Sequence, residues 1–270
     1  MKSLTTRRHR IAACVLGAVS TLATLAMLAP ASCEANADAR PLMQPQAREQ
    51  AQQQAQVLID AYGDSTTLGI TCSDGHCGPQ ARNAVTYLQD DLQAHYGERV
   101  RVANYGVGGT MATQLRDGNG HRQTSRKPES TAGLPWRERL AASPAQIVLI
   151  NYGINEVMQN QTPEQFYAAE TALVQTARAL GKEPVLQTSN PMPDNRLNAR
   201  LATMVAMTRR VAAEQQVPLV DQFAYVSSVP DWKTLMSDGA HPKPDLYRLK
   251  AAQDYQVVEP MVQRLLDGVH

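Results

Sequence analysis

The chain carries no excess of charge of either sign. Its 270 residues hold 26 Lys and Arg against 25 Asp and Glu, a formal net charge of +1. That balance leaves no electrostatic footprint for a nucleic acid or an anionic membrane surface. Bulky aromatics are scarce. Two Trp and two Phe offer no evident platform for stacking sugar rings, although nine Tyr could build one. Cysteine is sparse too. Of four, Cys14 and Cys33 lie near the N-terminus, and Cys72 and Cys77 flank Ser-Asp-Gly-His. In an oxidising compartment that short spacing predicts a disulfide. A zinc site from Cys72, His76 and Cys77 is the alternative, and it lacks an evident fourth ligand. The glycine-rich run 104–110, NYGVGGT, misses a third glycine: Met111 stands where G-x-G-x-x-G needs one. The dinucleotide fingerprint therefore fails. No internal repeat is visible.

What is present begins with a leader. Lys2, Arg7, Arg8 and Arg10 precede an uncharged stretch over 11–29, and Ala29-Pro30-Ala31 offers a small-residue cleavage site, with Ala35-Asn36-Ala37 as a second. This is the pattern of a secretory signal peptide over 1–31, so the protein is expected to be exported, periplasmic or extracellular. The uncharged stretch is long for a signal, and an uncleaved anchor is the alternative. Cys33 raises a lipoprotein reading, which Pro30 disfavours because a lipobox carries Leu at that place. A membrane partner is expected only in those two cases. Cleavage after Ala31 removes four positive charges and no acid, taking the net charge from +1 to −3. Residues 32–56 are rich in Ala, Gln and Arg, with Pro41 and Pro45, and read as a polar tether. Residues 57–270 are long enough for one sizeable core.

Within them, apolar runs alternate with helical patterns. Strands are expected from 57, then over 100–104, 146–152, 184–188 and 218–221. Helices are expected over 79–95, 163–180, 197–215 and most of 245–266, with Thr162 and Gly181 as caps of the second. Residues 118–135 are polar and turn-rich and read as a surface loop. Alternation of this kind argues for one α/β domain on a parallel sheet.

Chemistry collects where these strands end. Residues 57–65 read VLIDAYGDS: a buried strand that stops in Gly63, Asp64 and Ser65. Open α/β sheets bind ligands at the C-terminal ends of their strands. A serine at the strand-to-helix turn can expose its Oγ and aim its own N–H the same way, as a nucleophile needs. The bland alternative is an ordinary turn, since all three residue types favour turns. After the second strand, a glycine of the 104–110 run can hold out a backbone N–H, or merely make a tight turn. After the third, Asn155 can donate its amide to an oxyanion, or cap the next segment. Asp238 and His241 are three apart, so one turn can bring the carboxylate to the imidazole, fix its tautomer and stabilise the cation formed on proton uptake. The alternative is a solvated loop with an incidental histidine.

Taken together, Gly63-Asp64-Ser65, Gly109, Gly153-x-Asn155 and Asp238-x-x-His241-Pro242 resemble, in order and spacing, the four blocks of the SGNH (GDSL-type) hydrolases. The absence of G-x-S-x-G around Ser65 counts against an α/β-hydrolase. The resemblance implies a three-layer α/β/α fold with a mainly parallel, flavodoxin-like sheet. It implies hydrolysis of carboxylic esters with no metal and no cofactor, on a small-molecule or polysaccharide ester. Ser65 would be the nucleophile, His241 the base and later acid, and Asp238 its orienting carboxylate. The Ser65 N–H, the Gly109 N–H and the Asn155 amide would form the oxyanion hole. One departure is visible: the third block usually ends in Asp, and here Glu156 stands there, which puts that loop's hydrogen bonding in question. Two other readings keep the fold: an O-acyltransferase passing the acyl group to a sugar hydroxyl, and a non-catalytic carbohydrate-binding module.

Overall fold

A computed structural model of the chain describes residues 56–118 and 133–268. The expected signal, most of the tether and most of the 118–135 loop lie outside the described residues.

The centre is a five-stranded parallel sheet. Its strands are β1 (Val57–Gly63), β4 (Val100–Gly106), β5 (Ile147–Tyr152), β6 (Glu183–Thr188) and β7 (Leu219–Val220), in spatial order β4-β1-β5-β6-β7. Counting only these five, the order is 2-1-3-4-5, the flavodoxin-like arrangement. β5 is buried along its whole length, and β1 nearly so, as a parallel sheet covered on both faces requires. Alternate residues serve opposite faces. Val148, Ile150 and Tyr152 join Tyr62, Trp136, Phe166, Leu173, Leu201 and Met204 on one side. Ile147 and Leu149 join Val57, Ile59, Leu88, Leu92 and Val258 on the other. The first face is covered by α3 (Ala112–Asp117), α4 (Trp136–Ala142), α6 (Pro163–Ala179) and α7 (Asn195–Gln215), the second by α2 (Ala84–Tyr96) and α9 (Pro244–Asp267). This is a three-layer α/β/α domain.

Boundaries follow local chemistry. The Thr162 hydroxyl accepts from the Gln165 N–H, and Pro163 opens α6 at a position that has no use for an N–H. Gly181 takes φ +71° just past the Leu180 cap. The helix expected from 79 starts only at Ala84, because the Asn83 side chain accepts from the Thr86 N–H and the Thr86 hydroxyl accepts from the Asn83 N–H. The residues before it form instead an antiparallel hairpin, β2 (Ile70–Ser73) and β3 (His76–Pro79). Of three further short helices, α1 (Ser65–Leu68) follows the strand-to-helix turn expected at Ser65, while α5 (Ile154–Met158) and α8 (Gln222–Ser228) escape the sequence patterns.

The register aligns what matters. Gly63 pairs with Gly106 on one side and with Asn151 on the other. The chain therefore leaves β1, β4 and β5 at one edge of the sheet, and the loops carrying Ser65, Gly109 and Asn155 emerge together. The boundary between β1 and β5 is the switch point of this strand order, where open α/β sheets bind ligands.

Candidate active site

Ser65 opens α1, a helix of a single turn. Asp64 caps it: the buried carboxylate oxygen Oδ1 accepts from the Thr66 N–H at 2.8 Å and the Thr66 hydroxyl at 2.9 Å. Burial raises the Asp64 carboxyl above its usual range, against the pull of Thr66. The turn is too tight for side chains at two points. A Cβ on Gly63 would lie 2.1 Å from Thr67 Oγ1 and 2.6 Å from the Asn151 carbonyl, and one on Gly106 would lie 2.2 Å from the Leu68 nitrogen. Two glycines thus let β1, β4 and α1 meet closely enough to hold Ser65 at the sheet edge, half-buried. As the first helical residue, Ser65 has an N–H with no partner inside the helix.

His241 reaches Ser65 from the loop before α9. Its Nε2 lies 2.9 Å from Ser65 Oγ, and its Nδ1 lies 2.7 Å from Asp238 Oδ2. The other Asp238 oxygen accepts from the Ala240 N–H at 2.8 Å and the His241 N–H at 2.6 Å. Burial disfavours ionisation of Asp238, but the His241 ring and those two N–H groups outweigh it and hold the carboxyl below its usual range. An anionic acceptor at Nδ1 assigns the proton there and leaves Nε2 free to accept from the serine hydroxyl. The loop is braced from beneath. Lys250, buried on α9, donates to Asn190 Oδ1 at 2.9 Å, and Asn190 donates in turn to the Ala240 carbonyl at 3.2 Å. Burial lowers Lys250 to about 8, with Asp254 and Asp64 pulling the other way.

The hairpin flanks this loop. Cys72 and Cys77 face each other across β2 and β3 and are joined by a disulfide. Thr71 Oγ1 donates to the Pro242 carbonyl at 2.9 Å, and the Cys72 N–H donates to Ser237 Oγ at 3.0 Å. The Cys72 sulfur sits 3.0 Å from Asp238 Oδ2. A bridged sulfur has no proton to give, so this is packing rather than a hydrogen bond. Among the described residues, the group whose ligand atoms crowd together is Cys72, Asp238 and His241, within 4.8 Å of one another. Cys72, His76 and Cys77 do not form the zinc set considered from sequence, because the disulfide consumes the thiolates it needs.

The remaining candidates lie on the loops that follow β4 and β5. Gly109 is exposed with φ +78°, and a side chain there would meet nothing but would have to adopt the left-handed region. Asn155, on α5, donates one amide proton to the Thr110 carbonyl at 3.0 Å, leaving its second for another acceptor. Glu156, next in line, is fully buried. Its oxygens accept from the Ala112 N–H at 2.7 Å and the Gly153 N–H at 2.8 Å. So the loop with Glu in place of the family's Asp is well bonded. The structure brings Ser65, Asp238 and His241 into one hydrogen-bonded row and places Gly109 and Asn155 on the loops after β4 and β5, the two strands that flank β1. Lys250, Asn190 and the hairpin contacts have no signal in the sequence, and Asp64 stands there in a motif without a role of its own. Asp64 alone had a signal there, as a capping-type residue directly before a helix start.

A family model described as the GDSL-like lipase/acylhydrolase family matches residues 61–249. No curated protein sequence matches the chain. Among solved structures, a lipolytic protein of the G-D-S-L family from Desulfitobacterium hafniense is 17% identical, with a TM-score of 0.55, covering 74% of this chain and 98% of its own. An acetylxylan esterase from Geobacillus stearothermophilus, in a catalytic-mutant form, is 19% identical with a TM-score of 0.59, covering 75% and 94%. The aryl esterase of M. smegmatis is 18% identical with a TM-score of 0.56, covering 77% and 99%. At these identities the likeness speaks for the fold.

Proposed function

The chain belongs to the GDSL-like lipase/acylhydrolase family of carboxylic ester hydrolases, and from that premise we propose that it is an exported serine esterase that cleaves O-acyl esters, O-acetylated carbohydrate among them, through an acyl-enzyme on Ser65. The observation that carries the reading is the row Ser65 Oγ, His241 Nε2, His241 Nδ1, Asp238 Oδ2, with hydrogen-bond distances of 2.9 and 2.7 Å.

The steps follow from that row. His241 Nε2 takes the Ser65 proton as Oγ adds to the ester carbonyl, and Asp238 stabilises the imidazolium. The carbonyl oxygen becomes an oxyanion facing the Ser65 N–H, the Gly109 N–H and the free proton of the Asn155 amide. Collapse breaks the bond to the alcohol, which leaves with the proton from His241. Water then repeats the sequence on the acyl-enzyme, with His241 as base, and frees the acid and Ser65. The site is open to water: the Asp238 side chain is 34% exposed and that of His241 19%. That supports hydrolysis over transfer to a sugar hydroxyl, which needs water held off. Export is supported by the leader pattern over 1–31 and by a Cys72–Cys77 disulfide, a bond of oxidising compartments.

The test is a panel of esters of increasing acyl length, acetylated xylooligosaccharide included, assayed on the mature protein beside Ser65→Ala. Acetyl esters should turn over fastest, and the variant should be inactive on all. Preference for long acyl chains overturns the substrate reading. Mass spectrometry of the mature protein should place its start at Ser32 or Asp38. An intact Met1 in a cytosolic fraction argues against export, and a diacylglyceryl group on Cys33 replaces the soluble form with a lipoprotein.

A further inference from the structure

We propose that Glu156 is a positioning residue of the oxyanion hole, setting the distance between the two loops that hold Gly109 and Asn155. The inference rests on the esterase reading of the site.

The sheet itself does not hold the two loops in register. Gly109 follows β4 and Asn155 follows β5, and β1 lies between those strands. Parallel neighbours are about 4.8 Å apart, so β4 and β5 stand roughly 10 Å apart and share no ladder hydrogen bond. The loops must lean toward each other across Ser65. The Glu156 carboxylate joins them: one oxygen holds the Ala112 N–H, at the start of α3 just beyond Gly109, and the other holds the Gly153 N–H, just before Asn155. Three uncharged contacts run the same way, from Asn155 to the Thr110 carbonyl, from Gln159 to the Gly109 carbonyl, and from Gln161 to Thr113 Oγ1. Of the four, only the Glu156 link is fully buried and charged.

The position is a costly one for a carboxyl. Burial pushes Glu156 up to about 7, and the nearby Asp64 carboxylate adds to that. Among the described residues no cation pairs with it, and its bonds to the two N–H groups are what hold the carboxylate in place. A carboxylate offers an acceptor at each end. A glutamine offers one, and turns an NH2 toward the other N–H. One end of the staple is then lost while size and shape are kept.

The experiment is a cycle on one ester of Glu156→Gln, Asn155→Ala and the double variant, with Glu156→Asp and Ser65→Ala alongside. A displacement of about 1 Å at a reacting centre costs up to about 100-fold. Glu156→Gln should therefore lower kcat about 10- to 100-fold with KM changed less than about threefold. Glu156→Asp, which keeps the charge, should recover part of that loss. In the Asn155→Ala background, Glu156→Gln should cost much less than alone, because it acts through a donor already gone. Costs that multiply independently, a change confined to KM, or an unchanged kcat would each overturn the role. If Glu156→Gln does not fold, the Glu156→Asp cycle decides by the same criterion. Should Ser65→Ala stay active, the esterase reading itself fails and this inference with it. An inactive Ser65→Ala beside an independent Glu156 effect removes only the staple.

Discussion

Three side chains from two ends of the domain, Ser65, Asp238 and His241, carry the chemistry. Ser65→Ala and His241→Ala should each lower ester turnover by several orders of magnitude, and the double variant should be little worse, since members of such a row act as one unit. Asp238→Asn should cost no more than His241→Ala, because the base remains in the wrong tautomer. Asn155→Ala removes one oxyanion donor and should lower kcat about 100- to 1000-fold with KM nearly unchanged. Steady-state kinetics of the five variants checks all of this, and additive losses at Ser65 and His241 would contradict it. These residues were legible because each sits in a short motif, Ser65 and Asn155 just after strands and Asp238 and His241 just before the last helix. Their supports were not. Lys250 reads as one more polar residue of a helix, and only folding places it under Asn190 and the Ala240 carbonyl. Glu156 was legible as a departure from a pattern, but the two N–H groups it holds lie far apart in sequence.

At the scale of elements, the long periodic segments were readable and the short ones were not. β5, α6, α7 and α9 lie within a few residues of their expected spans, because burial imposes a period over many residues. α1 and α5 are a turn or so each, too short for any period to show. The Cys72–Cys77 spacing predicts a disulfide loop but no strands, although Asp74 and Gly75, with φ of 51° and 77°, form the two-residue hairpin turn that such pairs favour. Its role is visible only in three dimensions, where Thr71 and Cys72 hold Pro242 and Ser237 on either side of Asp238 and His241. Replacing both cysteines, as in Cys72→Ser with Cys77→Ser, should loosen that brace and lower kcat by about 3- to 10-fold, since the base need shift only slightly to lose alignment. Equal kcat for the variant and the wild type would show that the hairpin holds without its bond. Strand order was not legible from the residues themselves, because pairing is non-local. The 2-1-3-4-5 order came only as an implication of family resemblance.

For the molecule as a whole, the buried acids set how stability follows pH. Burial raises Glu156 to about 7 and Asp254 to about 6, and lifts Glu170 well above its usual range. An acid whose folded value is raised contributes stability that is fully present below its unfolded value and is lost as pH climbs through the folded one. Lys250, lowered to about 8, is charged in both states below that pH and is neutral to this window. Asp238, held low, matters only in stronger acid. The domain should therefore be more stable at pH 5 than at pH 8. Glu156 alone accounts for about 3 kcal/mol, so the thermal midpoint should rise by at least about 5 °C on acidification. Glu156→Gln should flatten part of that slope. Calorimetry across the range checks it, and a midpoint that falls from pH 8 to pH 5 would contradict it.

The central claim is that Ser65 is the nucleophile of an esterase, and a serine-reactive fluorophosphonate tests it most directly. Treated wild-type protein, digested and mapped by mass spectrometry, should carry the phosphonyl adduct on Ser65, lose ester hydrolysis in step with labelling, and show no adduct in Ser65→Ala. An adduct on a different serine, or full ester hydrolysis by Ser65→Ala, would contradict the account.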